Sequence, residues 1–329
     1  MNQRATRLIS IIAVLLALVG AVVALVVTRP SPPREFVESV SSPADRLTKL
    51  VVSADGRHIA AGSAEGHVAL MNPLSRRVQH LDAEGESPLT MLTFAPDSLL
   101  LSGDQAGQLR GWQPPDYSAV ELDEALTSRV TITCAAFRRV SGSLEIILGL
   151  ADGRLVSIGQ DGTSIRESGH RGVKAMLMVE DDEKLVTAGS EGTLRWHRLS
   201  DDVVIHSSDG HDTEVSVLAA SPDDKTFVSA DWNGEIRIWD VESRKIVADV
   251  SQPDAVSSLV WQDDHILTGS WDGHIRIFQV ADSATTLEHE FDTRSPIHSL
   301  TVDPASGHIL TVSNDDAIDV WSPDQSAER

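Results

Sequence analysis

The side chains able to do chemistry in this chain are many but poorly grouped. Its 12 histidines include no His-x-His or His-x-x-x-His pair. A metal held on one strand or one helix turn needs such a pair, so no metal site is expected. The single cysteine, Cys134, excludes an internal disulfide or a multi-cysteine metal centre. Beside Ala135 and Ala136 it reads as core filler. Acidic pairs such as Asp201-Asp202, Asp223-Asp224, Asp263-Asp264 and Asp315-Asp316 stand among turn residues, where carboxylates shape and solvate turns. The stretches GSAEG and GSEG are followed by no helix bearing a phosphate-loop lysine, and no G-x-S-x-G elbow occurs. Asp231-Trp232-Asn233-Gly234 shares part of a calcium loop but lacks the ligand spacing and the terminal Glu. No catalytic residue and no cofactor is therefore expected. The alternative is an enzyme or cofactor site at a central channel, built from residues far apart in sequence.

Two residues suggest binding. Trp232 and Trp271 each stand in a small polar turn, ADWNG and GSWDG. A large aromatic in such a turn is costly in water unless something covers it, and tryptophan is a favoured anchor at interfaces.

The elements that would position these residues follow from composition and period. The chain has 329 residues, 27 basic against 49 acidic, and a net charge of −22. That deficit of Lys and Arg argues against nucleic acid and favours a basic or polar protein partner. The bias of Arg over Lys, with abundant Ala, Val and Asp, suggests a GC-rich bacterial source. Residues 8–27 read LISIIAVLLALVGAVVALVV, without charge. As a helix at about 1.5 Å per residue they would cover roughly 30 Å, the hydrocarbon thickness of a bilayer. The apolar core is too long for a cleaved secretory signal, so residues 8–28 are expected to form an uncleaved transmembrane anchor after a tail of residues 1–7. Arg4 and Arg7 before it balance Arg29 and Arg34 after it. With the acidic bulk on the far side, the expected place is a bacterial inner membrane, with the domain outside the cytoplasm; a cytoplasmic domain is the alternative. Residues 29–35, RPSPPRE, form a stiff spacer.

The remainder, 36–323, is one repeated unit, followed by a polar tail at 324–329. Seven segments align, from IAAGSAEGHVALMN at Ile59 through FVSADWNGEIRIWD at Phe227 to ILTVSNDDAIDVWS at Ile309. Their turn positions are Gly66, Gly107, Gly153, Gly192, Gly234, Gly273 and Asp316, a period of about 40 residues. Each has an apolar run, a small polar turn and an alternating run, which is a β-hairpin. A further strand on either side makes four. Such units bury their faces only against each other, so the expected fold is all-β: a seven-bladed β-propeller preceded by one N-terminal transmembrane helix. The alternating segment FVESV at 36–40 is expected to close the ring as the outer strand of blade seven.

The chain resembles the WD-repeat propeller family. Blade five carries the likeness best: Gly210-His211, SPDD at Ser221, SADWNG at Ser229 and IRIWD ending at Asp240. The resemblance implies a hydrogen-bonded tetrad of His, Ser or Thr, Asp and Trp. In blade five it falls on His211, Ser229, Asn233 and Trp239. Blade four offers His170 and Thr187 with Glu191 at the turn. Blade six offers Thr268 and Asp272 but Phe278 for Trp, and blade seven Thr311, Asp315 and Trp321. Blades one to three depart, with Met71, Trp112 and Ile158 at the Trp position. The resemblance further implies that the turn between second and third strands lies on the partner-binding face. Trp232 and Trp271 would stand there with Asp104, Gln105, Ser190, Asp231 and Asn314, and with Arg171 and Arg294 from neighbouring loops. The function expected is a non-catalytic scaffold tethered to a membrane, binding a protein in or at that membrane.

Overall fold

The computed structural model describes residues 34–36 and 46–322, apart from 74, 76, 82–86, 121, 123–128, 181–182, 282–283 and 315–316. Seven four-stranded antiparallel sheets form a seven-bladed β-propeller, with no helix among the described residues. The expected span at 8–27 lies outside them. None of the described residues forms a helix long and apolar enough to cross a membrane.

Blade five shows how the sequence makes a blade. Its strands are Val215–Ala220, Thr226–Asp231, Glu235–Asp240 and Ile246–Ser251. Between the second and third, Gly234 takes φ +81°, and a Cβ there would stand 2.3 Å from the Gln252 carbonyl. The corresponding glycines of the other described turns, Gly66, Gly107, Gly153, Gly192 and Gly273, take the same left-handed conformation. This is why the period is punctuated by glycine. The second strands are mostly buried, as in IAAGS at Ile59–Ser63, while the outermost are largely exposed, as in Ile246–Ser251. Burial is thus greatest in the second strands and least at the outer edge, and apolar clusters sit between adjacent blades.

The innermost strand of each blade packs on that of the next, and blade seven packs on blade one, so the ring is closed. Blade seven is completed from the other end of the chain: Arg34–Phe36 pairs antiparallel with Ile318–Trp321, Arg34 opposite Trp321 and Phe36 opposite Asp319. The closing strand therefore starts two residues earlier than the alternation in FVESV suggests, inside the proline-rich stretch. Residues 37–40 lie outside the described ones.

A bulge recurs at the start of the innermost strands. In blade five Val215 pairs with Asp231 and Val217 with Ala230, so Ser216 has no opposite residue. The same extra residue is Thr48, Thr90, Thr133, Lys174 and Ser257 in blades one, two, three, four and six. In blade seven the position falls to His298, whose amide donates to the Val312 carbonyl at 2.9 Å. The hydroxyls act as clips between blades. Thr90 Oγ1 lies 3.2 Å from the Gly103 carbonyl and 2.6 Å from that of Ile132 in the next blade. Thr133 repeats this with Gly149 and Val173, and Ser216 with Ala230 and Val256.

Candidate functional site

Among the described residues, six second-to-third-strand turns share one face. In each of them the residue after the second strand donates its amide to the segment that enters the innermost strand. Ala64 donates to Arg46, Gln105 to Pro88, Ala151 to Thr131, Ser190 to Gly172, Trp232 to Glu214 and Trp271 to Ala255. Asn314 holds the same place in blade seven. The ring of positions is therefore Ala, Gln, Ala, Ser, Trp, Trp, Asn, and its two large apolar members are neighbours.

Those neighbours touch. The Trp232 and Trp271 rings lie with centroids 6.0 Å apart at 35°, and the residues stay 50 % and 43 % exposed. Trp271 meets His298 edge-on at 5.7 Å, and His298 Nε2 lies 2.7 Å from Asn314 Oδ1. A half-exposed aromatic ribbon thus crosses blades five, six and seven. His298 gives no signal in its own sequence context; only alignment of the bulge positions, where six blades carry Thr, Ser or Lys, would have marked it.

Other rim expectations divide. Gln105 and Asn314 are exposed and Ser190 is half-buried. Arg171 is exposed beside the Ser190 turn, its amide 3.3 Å from Glu191 Oε2. Arg294 is exposed in the linker that touches the Gly273 turn. Asp104 and Asp231 do not belong to the rim: both are fully buried. Asp104 accepts the Gln108 amide at 2.8 Å and faces Arg110 at 3.4 Å. They end their second strands and point into the blade, so they are structural acids.

The polar chain of blade five also differs from its expected form. Trp239 Nε1 donates to Ser229 Oγ at 2.8 Å, and Ser229 Oγ stands 2.6 Å from His211 Nε2. The acid beyond is Asp231, with Oδ2 3.3 Å from His211 Nδ1, and not Asn233. Asp231 Oδ1 in turn accepts the amides of Asn233 and Glu235 at 2.9 and 2.8 Å. Burial would raise the Asp231 carboxyl, but bonds from His211 and the Glu235 amide outweigh it and hold it low. Gly210 makes room: a Cβ on it would strike Trp239 at 2.6 Å.

Blade four builds a similar relay from other residues. Thr187 Oγ1 lies 2.8 Å from His170 Nε2 and 2.8 Å from Nε2 of His197, which holds the Trp239 position. Gly189 stands where Asp231 stands in blade five. Glu191 folds back from the turn into the space a side chain there would fill, and its Oε1 lies 2.5 Å from His170 Nδ1. Burial would raise Glu191, but hydrogen bonds from Arg195 and His170 hold it at about 2. Burial, then the charges of Arg166, His170 and Arg195, pull His197 down to about 4. Blade-to-blade alignment of IRIWD with LRWHR would have found His197; its neighbour Trp196 is buried against Trp239 with ring centroids 5.8 Å apart.

In blade six the relay is reduced to Thr268 Oγ1 donating to Gln252 Oε1 at 2.9 Å. Asp272 is no part of it, because Arg276 claims that carboxylate at 2.7 Å. In blade seven Trp321 Nε1 donates to Thr311 Oγ1 at 2.9 Å; Asp315 lies outside the described residues.

One group of metal-capable atoms occurs among the described residues: His211, Asp231 and Glu235, within 4.8 Å of one another. Most of its donor atoms already have protein partners, while His211 Nδ1 faces Asp231 Oδ2 at 3.3 Å. His211 bonds Ser229, Asp231 accepts two amides and the Thr213 hydroxyl, and Glu235 pairs with Arg237 at 2.6 Å. Burial pushes the Cys134 thiol up to about 12, which disfavours the thiolate that a nucleophile needs.

Comparison with known proteins agrees with this architecture. Residues 180–264 match the family model of the anaphase-promoting complex subunit 4 WD40 domain. Actin-interacting protein 1 of Drosophila melanogaster is 23 % identical over 82 % of this chain and 46 % of its own length. The 66 kDa stress protein of Physarum polycephalum is 28 % identical over 72 % of this chain and 39 % of its own. The chain thus spans under half the length of both relatives. Among solved structures, the RRP9 WD40 repeats superpose with a TM-score of 0.77 at 17 % identity, over 88 % of this chain and 98 % of that one. A chain of the Mitotic Checkpoint Complex gives 0.76 at 16 %, over 89 % and 93 %. These named relatives with stated organisms are eukaryotic and lend no support to the bacterial origin that the composition suggests.

Proposed function

We propose that this chain, a WD40-repeat propeller, is a non-catalytic scaffold that binds a protein partner on the face carrying Trp232, Trp271, His298 and Asn314. One observation carries the reading: two adjacent tryptophans lie half-exposed and in mutual contact on a rim whose other positions are small or polar. Exposed apolar area of this kind marks an interaction surface, and tryptophan is the side chain most often found at the energetic centre of one. Gln105, Ser190, Arg171 and Arg294 would form a polar surround. Propellers of this family generally act as non-enzymatic interaction scaffolds, and they bind proteins.

The finer part of the proposal is the tether. The uncharged residues 8–27 would hold the propeller beside a bilayer, on the extracytoplasmic side, raising the effective concentration of partners in the same membrane. The alternative, an enzyme or cofactor site at the channel, finds less support. The bulge hydroxyls of Thr90, Thr133 and Ser216 are engaged by carbonyls of two blades. Lys174 is paired with Glu214 at 3.0 Å.

Affinity purification from membranes tests the reading. Trp232→Ala with Trp271→Ala should release the co-purifying partner without lowering Tm, since both rings are half in water. Undiminished co-purification refutes the site. Phosphatase and fluorescent-protein fusions at Arg329 test the side of the membrane.

A further inference from the structure

Resting on that reading, we infer that the tryptophan pair is a platform for an arginine side chain presented by a basic segment of the partner. Three observations converge. The first is shape. With centroids 6.0 Å apart the two indoles already touch, so nothing inserts between them; what remains free is their shared outward surface. A flat, open surface suits a planar group that stacks. A guanidinium stacks on an indole face, is only weakly hydrated, and is attracted by the ring's negative face. A compact ammonium gains most where it is enclosed, and the two rings stay half-exposed.

The second is local charge. Asp254 lies in the linker between the two tryptophan turns. A Cβ on Gly234 of the Trp232 turn would stand 2.7 Å from the Asp254 carbonyl, and the next residue, Ala255, accepts the Trp271 amide at 3.1 Å. Asp254 is exposed and makes no ion pair among the described residues. Asp212, in the linker on the other side of the Trp232 turn, is exposed and equally unpaired. Of the cations near this face, Lys174 pairs with Glu214 at 3.0 Å and Arg276 with Asp272 and Glu290 at 2.7 and 2.8 Å, while Asp292 accepts only the backbone amide of Arg294, at 2.8 Å. Asp212 and Asp254 thus stand as unpaired carboxylates in the two linkers that flank the Trp232 turn. The third is global: a net charge of −22 draws cations towards the surface and repels acidic segments.

Fluorescence anisotropy on the full-length chain in nonionic detergent tests this with three capped, labelled probes. They are tetra-arginine, tetra-lysine of equal charge, and tetra-citrulline, which keeps arginine's shape without its charge. Arginine should bind tightest, with citrulline about tenfold weaker or more. Asp254→Asn should cost about threefold at low salt and less at high salt. Replacing both tryptophans by Ala should abolish the preference for arginine over lysine while leaving the weak, salt-sensitive attraction common to both. Replacing both by Phe should keep part of the preference, which separates loss of the platform from loss of the fold. Citrulline binding as tightly as arginine overturns the inference, as does an arginine preference that survives both Ala substitutions. The underlying reading has its own readout. If the Ala variants lose the co-purifying partner but citrulline equals arginine, the scaffold site stands and the arginine assignment falls. If the partner remains while the arginine preference is lost, the reverse holds.

Discussion

Blade five and blade three form the same four-stranded sheet around opposite interiors. In blade five, Ser229, Asp231 and Trp239 sit fully or almost fully buried and joined through His211. At the same places blade three carries Leu148, Leu150 and Ile158, packed into an apolar cluster. Both blades keep the hairpin, the turn glycine and the bulge. The ring thus rests on backbone pairing, apolar packing and the hydroxyl clips between blades, and the polar chain is a local substitute for packing. A buried polar network adds stability only when every member is satisfied. Blade three avoids that requirement by having no members. The residues matching a WD40 family model, 180–264, cover the relay of blade five and all but His170 of that in blade four.

Four measurements would break or sharpen this contrast. The largest loss should come from Trp239→Ala, which empties a buried site against Trp196 and Phe227 and removes the donor to Ser229. It should cost ~3–5 kcal/mol in denaturant unfolding, and a loss below ~1 kcal/mol would mean that the relay blade is not better fixed than its apolar counterpart. Next is pH. His197 is buried and held near 4, below its ordinary 6.5, so the fold favours its neutral form. Its contribution is complete above about 6.5 and declines as pH falls towards 4, by up to ~3 kcal/mol. His197→Gln, which still offers Thr187 a donor, should flatten the fall of Tm across that window; an unchanged slope would assign the loss elsewhere. Ser229→Ala should cost ~1–3 kcal/mol by stranding the Trp239 donor and His211. Leu148→Ser, placing a hydroxyl in blade three where no relay exists, should cost as much or more; a gain would show that blade three can accept the polar solution. Smallest is the clip. Thr133→Val keeps the shape and removes a bond between blades three and four, for about 1 kcal/mol, and the same change at Thr90 should match it if the clips are equivalent.

Much of the fold is legible because it is periodic. Turn glycines at an interval of about 40 residues, each followed by alternation, specify hairpins with no knowledge of what they pack on. The exposed tryptophans were legible for a related reason: a large ring in a polar turn contradicts its surroundings. Less of the polar interior could be read. The family resemblance placed Asn233 and Asp272 at the acid position of the relay, yet the relay uses Asp231, and Asp272 is taken by an arginine four residues on.

The sequence alone settled the number of units, their hairpins and the two residues most in need of a cover, since each depends on contacts within a few positions along one strand. Tertiary structure alone decided which carboxylate reaches His211, that Glu191 fills the place left by Gly189, that Trp232 meets Trp271 and His298, and that strand pairing across the ring's closure begins at Arg34. Apart from Glu191, which folds back within its own turn, the deciding partner comes from a neighbouring linker or turn, the next blade or the other end of the chain, and packing sets the direction in which the side chain points. That direction is a property of the packed ring, and no local pattern encodes it.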